Sequence, residues 1–153
     1  MDKIEVNHLF DELVEHIESA PWFTEDWRIS RDGSYIHVTK TNWYDDNGQG
    51  VHFEVYVGDT EFEAKQFPIL IHAETDVPNR EQFAKRMRIA LQYEIPSFMR
   101  ETDEYTILKE MHPFERETFV KEVVDALTEL QFVVPFVDMC LIENDDVEKK
   151  INE

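Results

Sequence analysis

Val51-His52-Phe53-Glu54-Val55-Tyr56-Val57 is the stretch that decides the fold class. Apolar residues at 51, 53, 55 and 57 alternate with His52, Glu54 and Tyr56, and a period of two is that of a strand with one face in a core. Upstream, Asp45-Asp46-Asn47-Gly48-Gln49-Gly50 reads as a hairpin loop, and a second strand is expected over Ser34 to Lys40, after an Asp32-Gly33 turn. Downstream, Gly58-Asp59 signals a tight turn, and the chain returns through Glu61 to Glu74 as a third strand. Pro68 marks a bulge or an edge in it, with Ile69, Ile71 and Ala73 on one face and Leu70, His72 and Glu74 on the other.

Helices flank these strands. Val6, Leu9, Phe10, Leu13, Val14 and Ile17 recur at the three-and-four spacing of one helical face, so residues 5–19 form a helix that ends before Pro21. A second helix starts near Asn79, which has capping-box spacing to Gln82, and Pro96 ends or kinks it. Residues 100–112 show no clear period. A third helix begins near Glu115, with Phe119, Val120, Val123, Val124, Leu127 and Leu130 along one face. The segment Phe132 to Ile142 is apolar nearly all round and reads as a buried helix continuing after a kink at Pro135, with a strand as the alternative. The expectation is a single α+β domain over 1–143: an N-terminal helix, a three-stranded antiparallel sheet, then C-terminal helices packed on one sheet face. The polar tail, 144–153, is expected to fray.

The 153 residues include 34 acids against 15 bases, a formal charge of −19. Phosphate backbones are held by Lys and Arg, so nucleic acid is an improbable partner, and anionic lipid surfaces are repelled as well. The lone cysteine, Cys140, excludes a disulfide framework or a cysteine-cluster metal site, and in an apolar helix it is packing. No basic leader precedes an apolar run and no run approaches the length of a membrane span, so the chain reads as cytoplasmic. The acidity is compatible with solubility, with a halophilic source, or with a docking surface for a basic partner or a mimic of nucleic acid.

Four features bear on chemistry. If Ile36 and Val38 join the core, Tyr35, His37 and Thr39 point away from it, as do His52, Glu54 and Tyr56 on the next strand and His72 and Glu74 on the third. Imidazoles and carboxylates gathered on one face are ligands for zinc, manganese or iron. His37, His52, Glu54, His72 and Glu74 are therefore the candidate site; the expectation is no cofactor, with a divalent metal as the alternative the site allows. A solvated face of cross-strand polar pairs is the plainer explanation. Second, Arg80, Lys85, Arg86 and Arg88 form the one basic cluster, either a solvated helix face or a small anion site. Third, Trp22-Phe23-Thr24-Glu25-Asp26-Trp27 closes the core over the first helix or offers an aromatic anchor to a partner. Fourth is Glu63-Ala64-Lys65. With the order helix, three antiparallel strands, helix, it resembles the opening of the PD-(D/E)XK nuclease core. That resemblance implies an E-x-K formed by Glu63 and Lys65 on a strand. Glu54 or Asp59 would be the preceding acid, Glu12 the acid of the first helix, and a divalent ion would lie between them. No Pro-Asp precedes either strand acid. Asp45, Asn47 and Gln49 begin like a calcium loop, but Tyr56 stands where its bidentate glutamate belongs.

In size, charge and helix-then-strands layout the chain also resembles small acidic secretion chaperones. The reading that follows is a non-catalytic acidic interaction or regulatory module. It would have a protein partner or form a homodimer through the apolar segment from Leu127 to Ile142. The alternative is a metal-dependent hydrolase or nuclease-like enzyme that uses the His/Glu face or Glu63 and Lys65.

Overall fold

The structure, a computed structural model, describes residues 2–43, 50–94 and 105–151, with backbone only for 93, 94 and 144–151. The loop expected at 45–50 lies outside these residues except for Gly50, as does Pro96. Helix α1 (Lys3–Glu18) is capped by the Asp2 carboxylate, which accepts the Glu5 N–H at 2.9 Å. The strands β1 (Trp27–Arg31), β2 (Tyr35–Lys40), β3 (Val51–Tyr56), β4 (Gln66–Ala73) and β5 (Thr106–Pro113) form one antiparallel sheet in the order β1-β2-β3-β4-β5. A short helix, α2 (Asp59–Ala64), stands between β3 and β4, and α3 (Arg80–Glu94) between β4 and β5. After β5 come α4 (Phe119–Glu129), a 3-10 turn (Leu130–Val133) and α5 (Val134–Ile151).

The α+β class and the N-terminal helix are as the pattern implied, but the sheet has five strands rather than three. β1 was hidden because its five residues carry only two apolar positions, Trp27 and Ile29. β5 was hidden because it is an edge strand with Lys109, Glu110 and His112 along it, and a register shift opposite Ile71/His72 breaks its alternation. Pro113 closes it where no further ladder bond is needed. The expected tight turn at Gly58-Asp59 is instead the start of α2: the Glu61 carboxylate accepts the Gly58 N–H at 2.9 Å, and Lys65 ends the helix with φ of 56°. Asn79 precedes α3 with φ of 51°, outside the extended region of an ordinary N-cap, and its carbonyl accepts the Phe83 N–H. The break expected at Pro135 is the 3-10 turn just before it, and α5 then runs from Val134 to Ile151.

Alternation places Ile36, Val38, Phe53, Val55, Phe67, Ile69 and Ile71 in the core. Phe119 of α4 meets Phe67 edge-on at 4.9 Å between ring centroids and Phe10 of α1 at 5.3 Å, so α1 and α4 pack together over this face. Trp27 and Trp43 pack on Phe53, with Trp22 against Trp27. The aromatic segment 22–27 thus closes the core, with Trp22 Nε1 donating to Thr128 of α4. α5 is tied to the sheet by Asp138, whose carboxylate accepts from Trp43 Nε1 at 2.7 Å, Lys40 Nζ at 3.2 Å and Asn42 Nδ2 at 3.3 Å. Val133, Val137, Cys140 and Leu141 are buried, whereas Phe132, Met139 and Ile142 are 41%, 48% and 64% exposed.

Candidate functional site

The face opposite the core carries the polar row. Register pairs His37 with Glu54 across β2 and β3, His52 with His72 across β3 and β4, and His72 with Thr106 across β4 and β5. Each of these residues is out of phase with the core residues beside it in sequence, which is why the pleat gathers them. The His37 and His52 rings stack at 3.8 Å between centroids and 16° between planes, and His52 and His72 stand 5.8 Å apart. All five residues of the candidate site are therefore neighbours.

Glu54 is the hub. Its Oε1 lies 3.0 Å from His37 Nε2 and 2.9 Å from His52 Nε2, and its side chain is 10% exposed. Tyr35 adds a third donor to Glu54, and its Oη also lies 2.9 Å from His37 Nε2. Burial raises the Glu54 pKa, but the hydrogen bonds from His37, His52 and Tyr35 and the charge of His52 outweigh it and hold the carboxyl well below the usual carboxylate range. Burial, the bond to Glu54 and the charges of Glu54 and Glu74 push the Tyr35 hydroxyl far above its ordinary value, so it stays a donor. Glu74, just past β4, places Oε1 3.7 Å from His52 Nε2 and 3.6 Å from His72 Nε2. Thr106 Oγ1 lies 3.2 Å from His72 Nδ1.

One ligand atom from each of His37, His52 and Glu54 lies within 4.8 Å of the others, so these three can hold a metal ion. Atoms bound about 2.1 Å from one ion stand roughly 3.0 to 3.4 Å apart, close to the two carboxylate–imidazole separations seen. The stacking sets a condition. An ion lies in the plane of each imidazole that binds it, and two nearly parallel planes do not share one. His37, the more exposed of the pair, has to turn its ring for both to ligate.

The other candidates are differently placed. Arg80 stacks over the Tyr105 ring at 3.4 Å and donates from Nε to the Ala73 carbonyl, and Arg88 donates to the Thr106 carbonyl. These two tie α3 to the ends of β4 and β5, while Lys85 is exposed on the helix. Arg86 is half-buried and close enough to lower the Cys140 pKa, although burial of that thiol and the charge of Glu143 raise it more. Glu63 lies in α2 and Lys65 at its end, so the E-x-K is not on a strand and the nuclease-like arrangement is absent there. Thr106 was missed because β5 was not read as a strand; its β-branched Thr106-Ile107 start was the available signal. A second group, His112 between Glu110 at 3.3 Å and Glu122 at 3.2 Å, was missed for the same reason.

No family model matches the chain, and neither the curated proteins nor the solved structures searched contain a match to it. No helix among the described residues is long and apolar enough to cross a membrane.

Proposed function

We propose that this protein is a non-catalytic, cytoplasmic regulatory module that takes up one divalent transition-metal ion on its sheet face and acts through a protein partner. The observation that carries the reading is that one ligand atom from each of His37, His52 and Glu54 lies within 4.8 Å of the others on the adjacent strands β2 and β3. Glu54 and Glu74 bring two carboxylates to a site whose His52 side chain is fully buried. One divalent ion neutralises both, and imidazole with carboxylate suits zinc, manganese or iron. The site favours an ion over an organic substrate. The side chains of His37, His52 and Glu54 are 13%, 0% and 10% exposed, enough for an ion to enter once His37 turns, but offering little surface for a substrate to contact. A hydrolase reading also loses Glu63 and Lys65 as partners of Glu54.

The test is calorimetric titration of chelator-stripped protein with zinc and with manganese, alongside elemental analysis. One equivalent should bind, His37→Gln and Glu54→Gln should abolish or strongly weaken it, and Glu63→Gln should leave it unchanged. Metal at about 100 times its Kd should raise stability by about 2.7 kcal/mol. Absence of stoichiometric binding, or binding indifferent to both sheet-face variants, refutes the proposal.

A further inference from the structure

The surface formed by α1 and α4, on the opposite side of the core from the sheet-face cluster, carries a groove that the metal reading does not use. Two clefts of about 390 and 400 Å3 adjoin there, and Glu12 and Glu117 line both of them. The floor is apolar: Leu9 is buried, Val120 and Val124 are half-buried, and Ile4 stands open at one end with 68% exposure.

The charges along the walls divide unevenly. At one end Arg116 pairs with Glu5 at 3.2 Å, and at the other Lys121 pairs with Asp125 at 2.6 Å. Those two bases are thereby neutralised. Between them, Glu12 and Glu117 are exposed and have no basic partner among the described residues. The middle of the groove is thus an apolar floor between two uncompensated carboxylates, on a chain that already carries −19. A ligand that fills it has to bring apolar side chains for Leu9, Val120 and Val124 and cations for Glu12 and Glu117. An apolar stripe flanked by basic side chains is what an amphipathic basic helix presents. Nucleic acid and anionic lipid are repelled by the same carboxylates.

We infer that the α1/α4 groove docks a basic amphipathic helical segment of a partner protein, with its Lys or Arg side chains on Glu12 and Glu117 and its apolar side chains on Val120 and Val124. The long-range field of the acidic chain speeds the encounter, and the groove gives it a fixed place.

The probe is a fluorescein-labelled synthetic peptide of about 14 residues in which leucine and lysine are patterned as an amphipathic helix. It is titrated by anisotropy into the full chain in EDTA, which keeps the outcome independent of metal binding, at roughly 0.15 M salt. Wild type should bind it, and Glu12→Lys with Glu117→Lys should weaken binding by about tenfold or more. A control with the same net charge, Glu25→Lys with Glu63→Lys, should stay within about twofold. A peptide with every leucine replaced by glycine should bind at least about fivefold more weakly. Amide shifts in the labelled protein should centre on Leu9, Glu12, Val120 and Val124. Far-UV circular dichroism checks the fold of each variant, and Glu12→Gln with Glu117→Gln replaces the lysine pair if that pair does not fold. Equal losses in the groove and control variants would reduce the effect to overall charge and overturn the inference. So would equal binding of the leucine-free peptide, shifts centred elsewhere, or no binding by wild type.

Discussion

Replacing Glu54 with glutamine tests the polar row where it is most connected. The carboxylate accepts from His37 Nε2 at 3.0 Å, from His52 Nε2 at 2.9 Å and from the Tyr35 hydroxyl, with its side chain only 10% exposed. A carboxamide has one acceptor oxygen and brings an NH2 group of its own, so at least one buried donor then faces another donor. Hydrogen bonds to a charged group contribute about 1.5 to 3 kcal/mol each, and part of the sum is offset by the cost of burying the charge, leaving a loss of about 3 kcal/mol. For a domain of this size that is a fall in Tm of about 6 to 12 °C. The sign with pH follows from the lowered folded-state pKa. Above the unfolded value of 4.5 the ionised carboxylate contributes in full, and the contribution shrinks as pH falls below 4.5 toward the depressed folded value. Urea unfolding of wild type and Glu54→Gln at pH 7, 5, 4 and 3 should therefore show the largest difference at pH 7 and 5 and a smaller one at 4 and 3. Glu63→Gln, on the exposed face of α2, corrects for loss of one charge from an acidic chain. A Glu54→Gln protein as stable as wild type at pH 7, or a difference that grows in acid, would falsify the hub assignment.

Two further outcomes follow from the packing of α5. Asp138→Ala removes the acceptor for Trp43 Nε1, Lys40 and Asn42, so it should cost about 2 to 3 kcal/mol in urea unfolding and shift tryptophan emission to the red. Charge at Phe132, which is 41% exposed, should change stability by less than about 1 kcal/mol, whereas Val137→Asp, at a fully buried site, should prevent stable folding; equal effects would place the helix wrongly.

How far the sequence could be read depended on how far each element buries only one of its faces. Helix α1 shows its core face as a clean stripe because its other side meets water, and β3 declares itself through Val51, Phe53 and Val55. The same alternation brought His37, His52 and His72 to one face, and cross-strand register then made them neighbours. Hydropathy does not encode that Glu54 would receive both imidazoles on one oxygen, because that depends on the pairing of His37 with Glu54. Nor does it encode that the stretch after Gly58 would turn into a helix before β4, since Asp59-Thr60-Glu61-Phe62 is too short for a helical period to appear. Edge strand β5 shows the limit most clearly: with a neighbour on one side only, its residues vary in polarity without regard to the pleat.

The burial of β3 also separates two reasons for keeping its polar residues. Val51 through Val55 are all buried, so His52 and Glu54 sit on a face that, unlike the polar face of many antiparallel sheets, is closed to water. A buried ionic row that is fully bonded is commonly no more stable than an apolar row of like volume, and replacing it outright is often neutral or stabilising by about 1 to 4 kcal/mol. Breaking it at one member is the costly change. The triple variant His37→Val, His52→Val and Glu54→Leu should therefore be at least as stable as wild type and more stable than Glu54→Gln alone, as measured by urea unfolding at pH 7. If so, the row contributes little to folding that apolar residues would not, and the loss of metal binding in that same stable variant assigns it to function. A triple variant less stable than Glu54→Gln would instead make the row part of what holds the sheet together.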